Sequence, residues 1–204
     1  MAYIFEQINL NDVVTSAFLN QLAVSTRDHS HGVGGVSTHV LAKDATDVTV
    51  VNTTTETTVF TTTIPGGTLS TTNGIRLILH AEYFNNTGTG RGMTTRVKYG
   101  GTTVFTRFDS FTTSADRAGF RIESLISPRA AATGTQFVVT TRRATNPGTL
   151  DGTGLGTAGD IEGVKNNLAI DSTANQTLAV TVQHDFADSL LEFLKRWAVV
   201  EVLR

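Results

Sequence analysis

Residues 74–105 read GIRLILHAEYFNNTGTGRGMTTRVKYGGTTVF, and no other stretch of the chain alternates as cleanly. Ile75, Leu77, Leu79, Ala81 and Tyr83 fall on one face of a period-two pattern. Arg76, His80 and Glu82 fall on the other, with Ile78 as an apolar exception. Successive side chains of an extended backbone point to opposite faces, so this pattern predicts a long, half-buried strand. Asn85 to Gly92, NNTGTGRG, is rich in residues that reach positive φ, and the chain is expected to reverse there. Met93, Thr95, Val97 and Tyr99 then alternate with Thr94, Arg96 and Lys98, and Gly100-Gly101 predicts a second, tighter reversal into Thr102 to Phe105. The expected unit is an antiparallel meander to which later strands add.

Working outward, Thr46 to Val51 and Thr57 to Ile64 read as strands, the second ended by Pro65, which cannot continue a central strand. Downstream come Thr106 to Thr113, Arg117 to Ser127, Phe137 to Arg143, Leu168 to Ile170, Thr177 to Phe186 and Leu194 to Leu203. In the last, apolar residues on both faces predict a central, buried strand, with Trp197, Val199 and Glu201 on one side. Asp188 to Leu194 is expected to make a single helical turn before it. His184-Asp185 reads as surface polarity at a strand end. Ala144 to Gly163 loses all periodicity and reads as a long loop of the functional, partner-ordered or mobile kind. Short strands at near-regular spacing with Gly-rich turns make the expected fold all-β, an antiparallel jelly-roll β-sandwich over residues 46–204.

Residues 1–45 read differently. Asn11 or Asp12 can cap a short helix, and Val14, Phe18 and Leu22 then form one apolar stripe at i, i+4, i+8. So short a helix is marginal alone, so the stripe is expected to pack on its own domain, a symmetry mate or a larger partner. Ser25 to Thr38 is a polar, Gly-rich linker holding His29 and His31. In extended backbone both imidazoles face the same way. Three chains around an axis would bring six such nitrogens together, an octahedral set for a divalent transition metal. Solvated loop histidines are the other reading of the pair.

Composition narrows the classes. The chain of 204 residues has no cysteine, so neither disulfides nor thiolate zinc sites hold it together. A hydrophobic fraction of 39% implies a modest core. A net charge of −2 does not advertise nucleic-acid binding. No stretch has the ~18 consecutive apolar residues of a membrane span, and residues 1–7 lack the features of a signal peptide. The chain is thus expected to act without export or membrane insertion. Charge is nevertheless uneven: residues 91–143 carry nine Lys/Arg against three Asp/Glu, residues 1–90 three against seven, and residues 144–204 four against eight. Scattered solvated charge is one reading, and complementarity between a basic sheet and acidic flanks is the other.

No motif carries catalysis. Gly154-x-Gly156-x-x-Gly159 matches a dinucleotide fingerprint only as a pattern, because no strand precedes it and no helix of useful length follows. No G-x-S-x-G frames a serine, and no calcium-loop spacing occurs. The chain is expected to be no enzyme.

Three pieces, TTVFTTTIPGGTL (57–69), residues 74–105, and RWAVVEVL (196–203), together resemble the jelly-roll domains of tailed-bacteriophage virion proteins: head decoration or cement proteins, head fibres and tail-fibre modules. DHSHGVGG (28–35) is also similar to the His-x-His linkers of trimeric phage fibres, where such pairs hold a metal on the threefold axis. The resemblance implies a homotrimer located in the virion, its N-terminal segment contacting the major capsid protein or another virion component. One domain with a short N-terminal arm is small for a complete tail fibre, so the expected role is that of a trimeric decoration or cement protein stabilising the head surface. The alternative it leaves open is a tail-fibre or receptor-binding module for a host surface glycan. Sugar-stacking aromatics would then be expected in the end loops, yet Asn85 to Gly92 and Ala144 to Gly163 contain none.

Overall fold

Threonine, valine and isoleucine crowd the domain, and their branched side chains favour extended backbone. The computed structural model of the chain describes residues 38–129, 135–144 and 161–204. Eleven strands and no helix occur among these residues: β1 (Thr38–Asp44), β2 (Val48–Val51), β3 (Thr57–Ile64), β4 (Gly74–Asn85), β5 (Arg91–Tyr99), β6 (Thr102–Phe111), β7 (Ala118–Pro128), β8 (Gln136–Ala144), β9 (Ile161–Leu168), β10 (Gln176–His184) and β11 (Leu191–Leu203). They form two antiparallel sheets, as the all-β expectation requires. The larger runs β1-β11-β4-β7-β8-β9, with β2 sharing the β1 edge of β11, and the smaller runs β3-β10-β5-β6.

The alternation of β4 fixes which face it buries. Ile75, Leu77, Leu79, Ala81 and Tyr83 are all buried. Opposite them lie Met93, Val97 and Tyr99 of β5 and Leu178, Val180 and Val182 of β10, so one apolar core fills the space between the sheets. β11, flanked by β4 on one side and by β1 and β2 on the other, is the central strand its two apolar faces predict.

Three expectations change. First, β4 and β5 do not pair: β4 hydrogen-bonds β7 and β11, and the Gly-rich connection carries the chain across to the other sheet. The Asn85 side chain organises that crossing, its Nδ2 donating to the Thr89 and Phe111 carbonyls and its Oδ1 accepting from the Thr87 amide. Only β5 and β6 form the expected hairpin, turned by Gly100 and Gly101 at φ 55° and 76°, values that favour glycine. Second, Ile161–Leu168 is a strand where the sequence suggests the end of a loop. Gly163 lets it approach β6, since a Cβ there would lie 2.6 Å from Phe105 Cδ2. Third, Asp188 to Leu194 makes no helical turn. Asp188 accepts from the amides of Leu190 and Leu191, and β11 begins at once.

The strand β1 also carries sheet structure into residues assigned to the arm by a boundary at 45/46. The helix of Val14, Phe18 and Leu22 and the His29/His31 pair lie outside the described residues.

His184 differs from its reading too. It is 2% exposed, because Tyr83 of the facing sheet lies edge-on to it with ring centroids 6.2 Å apart. Neither imidazole nitrogen has a hydrogen-bond partner among the described residues, nor has the Tyr83 hydroxyl. Burial pulls the imidazole below its ordinary pKa, opposed in part by the neighbouring Asp185 carboxylate. The unfolded chain therefore takes up this proton first as pH falls, at about 6.5. The His184 contribution to stability is complete above that pH and is lost as pH falls below it through the lower folded value. Denaturant unfolding at pH 7.5 and pH 5 is expected to show the native protein less stable in acid, and His184→Leu to narrow the gap. An unchanged gap would move the acid sensitivity to other groups.

Candidate functional site

The outer face of the larger sheet carries the densest polar array among the described residues. Its residues are the polar half of the same alternation that builds the core: Arg76, His80 and Glu82 on β4, Arg117 just before β7, Arg121 and Glu123 on β7, Arg143 on β8, and Glu192 and Glu201 on β11. A bulge between Lys195 and Trp197 adds to it. Lys195 points into the core opposite Ala81, Trp197 stands opposite His80 on the outer face, and the extra residue, Arg196, is also exposed. Bulges re-aim side chains in this way. Two consecutive residues of the central strand thus project from one face.

Ion pairs tie the array together. Arg196 donates from Nε and Nη2 to Glu82 at 2.9 and 3.1 Å and from Nη1 to Asp47 at 2.6 Å. Arg117 forks Glu192 at 3.0 and 3.1 Å, Arg76 reaches Glu201 at 2.6 Å, and Arg121 reaches Glu123 at 2.6 Å. On the outer face of the other sheet, Arg96 and Lys98 of β5 meet Glu56, whose carboxyl the Lys98 bond holds below the usual range. Several partners of the basic segment, Glu56, Glu82 and Glu192, come from the acidic flanking segments. Complementarity within one chain, resolved as cross-strand pairs, accounts for much of the charge pattern. Exposed pairs of this kind each add at most about 1 kcal/mol, so their main effect is to hold long side chains in fixed positions.

Between β4, β7 and β8 the face sinks into a hollow of about 430 Å³ lined by His80, Glu82, Gly119, Arg121, Arg143 and Arg196. A second, of about 260 Å³, adjoins it and shares Arg121 and Arg143, with Glu123 and Thr141 completing the lining. The Nε of Arg121 is buried with no partner among the described residues. The Trp197 ring on β11 lies beside His80, with centroids 5.6 Å apart and planes tilted by 47°. Desolvation, then the Arg121 charge, lowers the His80 pKa. The arrangement suits binding: planar hydrogen-bonding groups and two aromatic rings fixed on rigid strands. Sequence reasoning places Trp197, Val199 and Glu201 on one face but looks for aromatics only in the loops. The signal that was available is the single Trp of the chain, beside an Arg in the closing strand.

No group of three or more His, Cys, Asp or Glu is placed to hold a metal ion among the described residues, and the His29/His31 pair lies outside them. No helix of the described residues is long and apolar enough to cross a membrane.

No family model and no curated protein matches the chain. Among solved structures, it is similar to the CBM2 module of the evolved Dit protein of Lactobacillus casei BL23 phage J-1, with 13% identity over 70% of this chain and 68% of that one and a TM-score of 0.35.

Proposed function

We propose that the chain is a non-enzymatic structural protein of a bacteriophage virion, a trimeric decoration or cement protein of the head surface, with a jelly-roll domain over the described residues. The strand order carries this reading. β2-β11-β4-β7 faces β3-β10-β5-β6, and the chain passes from sheet to sheet at β2–β3, β3–β4, β4–β5, β6–β7, β9–β10 and β10–β11. That is the order of two nested Greek keys, with β8 and β9 as an added hairpin beyond β7. Jelly rolls recur in viral capsid proteins and in lectins, and the sequence resemblance selects the virion.

The sheet edges support a trimer. β6 and β9 are edge strands on one flank, where the Lys165 Nζ donates to the Thr103 carbonyl, and they expose Phe108 and Val164, each at 53%. On the other flank β1 exposes Val40 at 51%. Open apolar edges invite pairing, and a head-to-tail ring that joins one flank to the other covers both kinds. In this reading the Val14, Phe18 and Leu22 stripe docks on the major capsid protein or another virion component, and His29 and His31 of three chains hold a divalent transition metal on the axis. A protein that binds only the assembled shell draws the equilibrium away from disassembly. Light scattering of the purified protein is expected to give three times 21.8 kDa, and gold-labelled antibody to decorate the head. A monomer, or label confined to the tail, sinks the decoration reading.

The second reading is a carbohydrate-binding module of a tail fibre. The neighbouring His80 and Trp197 rings on the outer face of the larger sheet favour it, because they supply on a sheet face the ring surface that the loops lack.

A further inference from the structure

We propose that copies of this chain join head to tail through the larger sheet, β9 of one copy adding antiparallel to β1 of the next, with Val164 opposite Val40 and Glu162 opposite Lys43. The inference deepens the trimer reading above by naming the surface that joins the copies, and it rests on that reading only for their number.

Two rows of side chains on the outer face carry it. Across the six strands one row of paired residues runs Val40–Glu201–Arg76–Leu125–Val139–Val164. Its two ends are exposed valines, at 51% and 53%. The next outward-facing row runs Lys43–Val199–Ile78–Glu123–Thr141–Glu162, from an exposed lysine on β1 to an exposed glutamate on β9. Neither of these end charges is in an ion pair among the described residues. Each row therefore ends at one edge in a group that suits the group at the other edge, apolar with apolar and cation with anion.

Direction and hydrogen bonding agree. Every pairing along the six strands is antiparallel, so β9 runs opposite to β1. A second copy set beside the first in the same orientation thus brings β1 antiparallel to β9, the pairing the rest of the sheet uses. In an antiparallel ladder a residue that exchanges both backbone bonds with one neighbour exchanges none with the other. Six strands give five pairs per row, so the pairs at the two ends are of one kind and the joint between copies is of the other kind at both edges.

The bulge at Leu41 sets the spacing on β1. It puts Val40 and Lys43, three residues apart, on one face, whereas Glu162 and Val164 are two apart on β9. The β1 edge then meets β9 of the neighbour as it meets β11, with Leu41 as the extra residue. Two-fold pairing of β9 with itself about Val164 would instead set Glu162 against Asn166 and leave Lys43 unmatched. The contact is heterologous, each copy using β9 toward one neighbour and β1 toward the other, and it forms a ring where the rotation closes.

The chain has no cysteine, so introduced thiols read the contact without background. Val40→Cys with Val164→Cys in one chain is expected to give, on oxidation, a ladder of disulfide-linked species ending at the closed ring, and each single variant none. Residues directly opposite on antiparallel strands lie close enough for such a bond. Lys43→Glu and Glu162→Lys should each raise the dissociation midpoint of the assembly on the order of tenfold, since attraction becomes repulsion. Both together in one chain should restore it, which a loss of folding would not allow. Cross-linking of the single-cysteine variants would replace this contact by a two-fold one. A light-scattering mass of three chains with neither ladder nor charge rescue would overturn the contact and leave the trimer standing. A ladder ending at two or four chains would keep the contact and overturn the trimer. A monomer at every concentration would overturn both, and the bulge and Lys43 would then be devices that keep this edge from pairing.

Discussion

Replacing Asp109 by alanine is expected to destabilise the domain by about 3–5 kcal/mol, the usual cost of leaving one member of a buried ion pair without its partner. Asp109 stands on β6 of the smaller sheet and Arg142 on β8 of the larger, and each is 5% exposed. The Arg142 Nε donates to Asp109 Oδ2 at 2.8 Å, Arg107 contributes a second donor at 3.3 Å, and the Arg142 guanidinium lies over the Phe120 ring at 5.6 Å. Without the carboxylate the Arg142 charge keeps its desolvation penalty and loses the Asp109 charge that helps offset it. A loss of this size lowers the melting temperature of a domain of this length by on the order of 10 °C. Removing both charges is a different experiment. Asp109→Leu with Arg142→Met leaves no charge behind and is expected to return most of the stability, since well-packed apolar replacements of such pairs are often neutral or better. Urea unfolding followed by circular dichroism measures both. A single mutant within about 1 kcal/mol of wild type would mean that water reaches Arg142 and that the pair does not bind the sheets together.

How far the sequence could be read follows from the range of each interaction. The inward face of β4 was legible because burial on one side of a strand imposes period two, and Ile75 to Tyr83 obey it. Its pairing was not, because period two says which face is buried and not which strand lies alongside. β4 and β5 alternate equally well, yet they belong to different sheets. β9 was hidden for another reason. As an edge strand it exposes Glu162, Val164, Lys165, Asn166 and Asn167, the last at φ 58°, so its composition is that of a loop. His184 looks solvated beside Asp185 and is buried by a tyrosine about a hundred residues earlier. Asp109 and Arg142, 33 residues apart, carry no local signal of their partnership. The candidate site mixes both cases. The charged face of β4 and β7 was visible, whereas the bulge that turns Arg196 outward beside Trp197 depends on how β11 meets β4. His29, His31, Val14, Phe18 and Leu22 stand outside the described residues, and the readings placed on them remain proposals.

The second large effect is expected at Asp44, and its size should depend on which partner is removed. Lys195 is an inward residue of β11 with no exposed surface, and its ammonium reaches the Asp44 Oδ2 of β1 at 2.5 Å. Asp44 also accepts from the Thr46 amide at 2.8 Å, and its side chain remains 34% exposed. Asp44→Ala therefore strands a fully buried cation. The expected loss is about 2–4 kcal/mol, somewhat below that of a fully enclosed pair because water reaches the rim where Asp44 sat. Lys195→Met removes the cation, keeps most of the packed volume, and leaves a carboxylate that solvent and the Thr46 amide can serve. It should cost less than about 1 kcal/mol. The double mutant should resemble Lys195→Met, so the two losses will not add. Acid supplies an independent check. The Lys195 bond, then the Thr46 amide, holds the Asp44 carboxyl below the usual range, so its contribution is complete above about pH 3.9 and is lost as pH falls through the lower folded value. Lys195→Met should flatten that limb of the stability curve. A greater loss from Lys195→Met than from Asp44→Ala would reverse this account: the aliphatic stem of Lys195, and not its charge, would then be what joins β1 to the central strand.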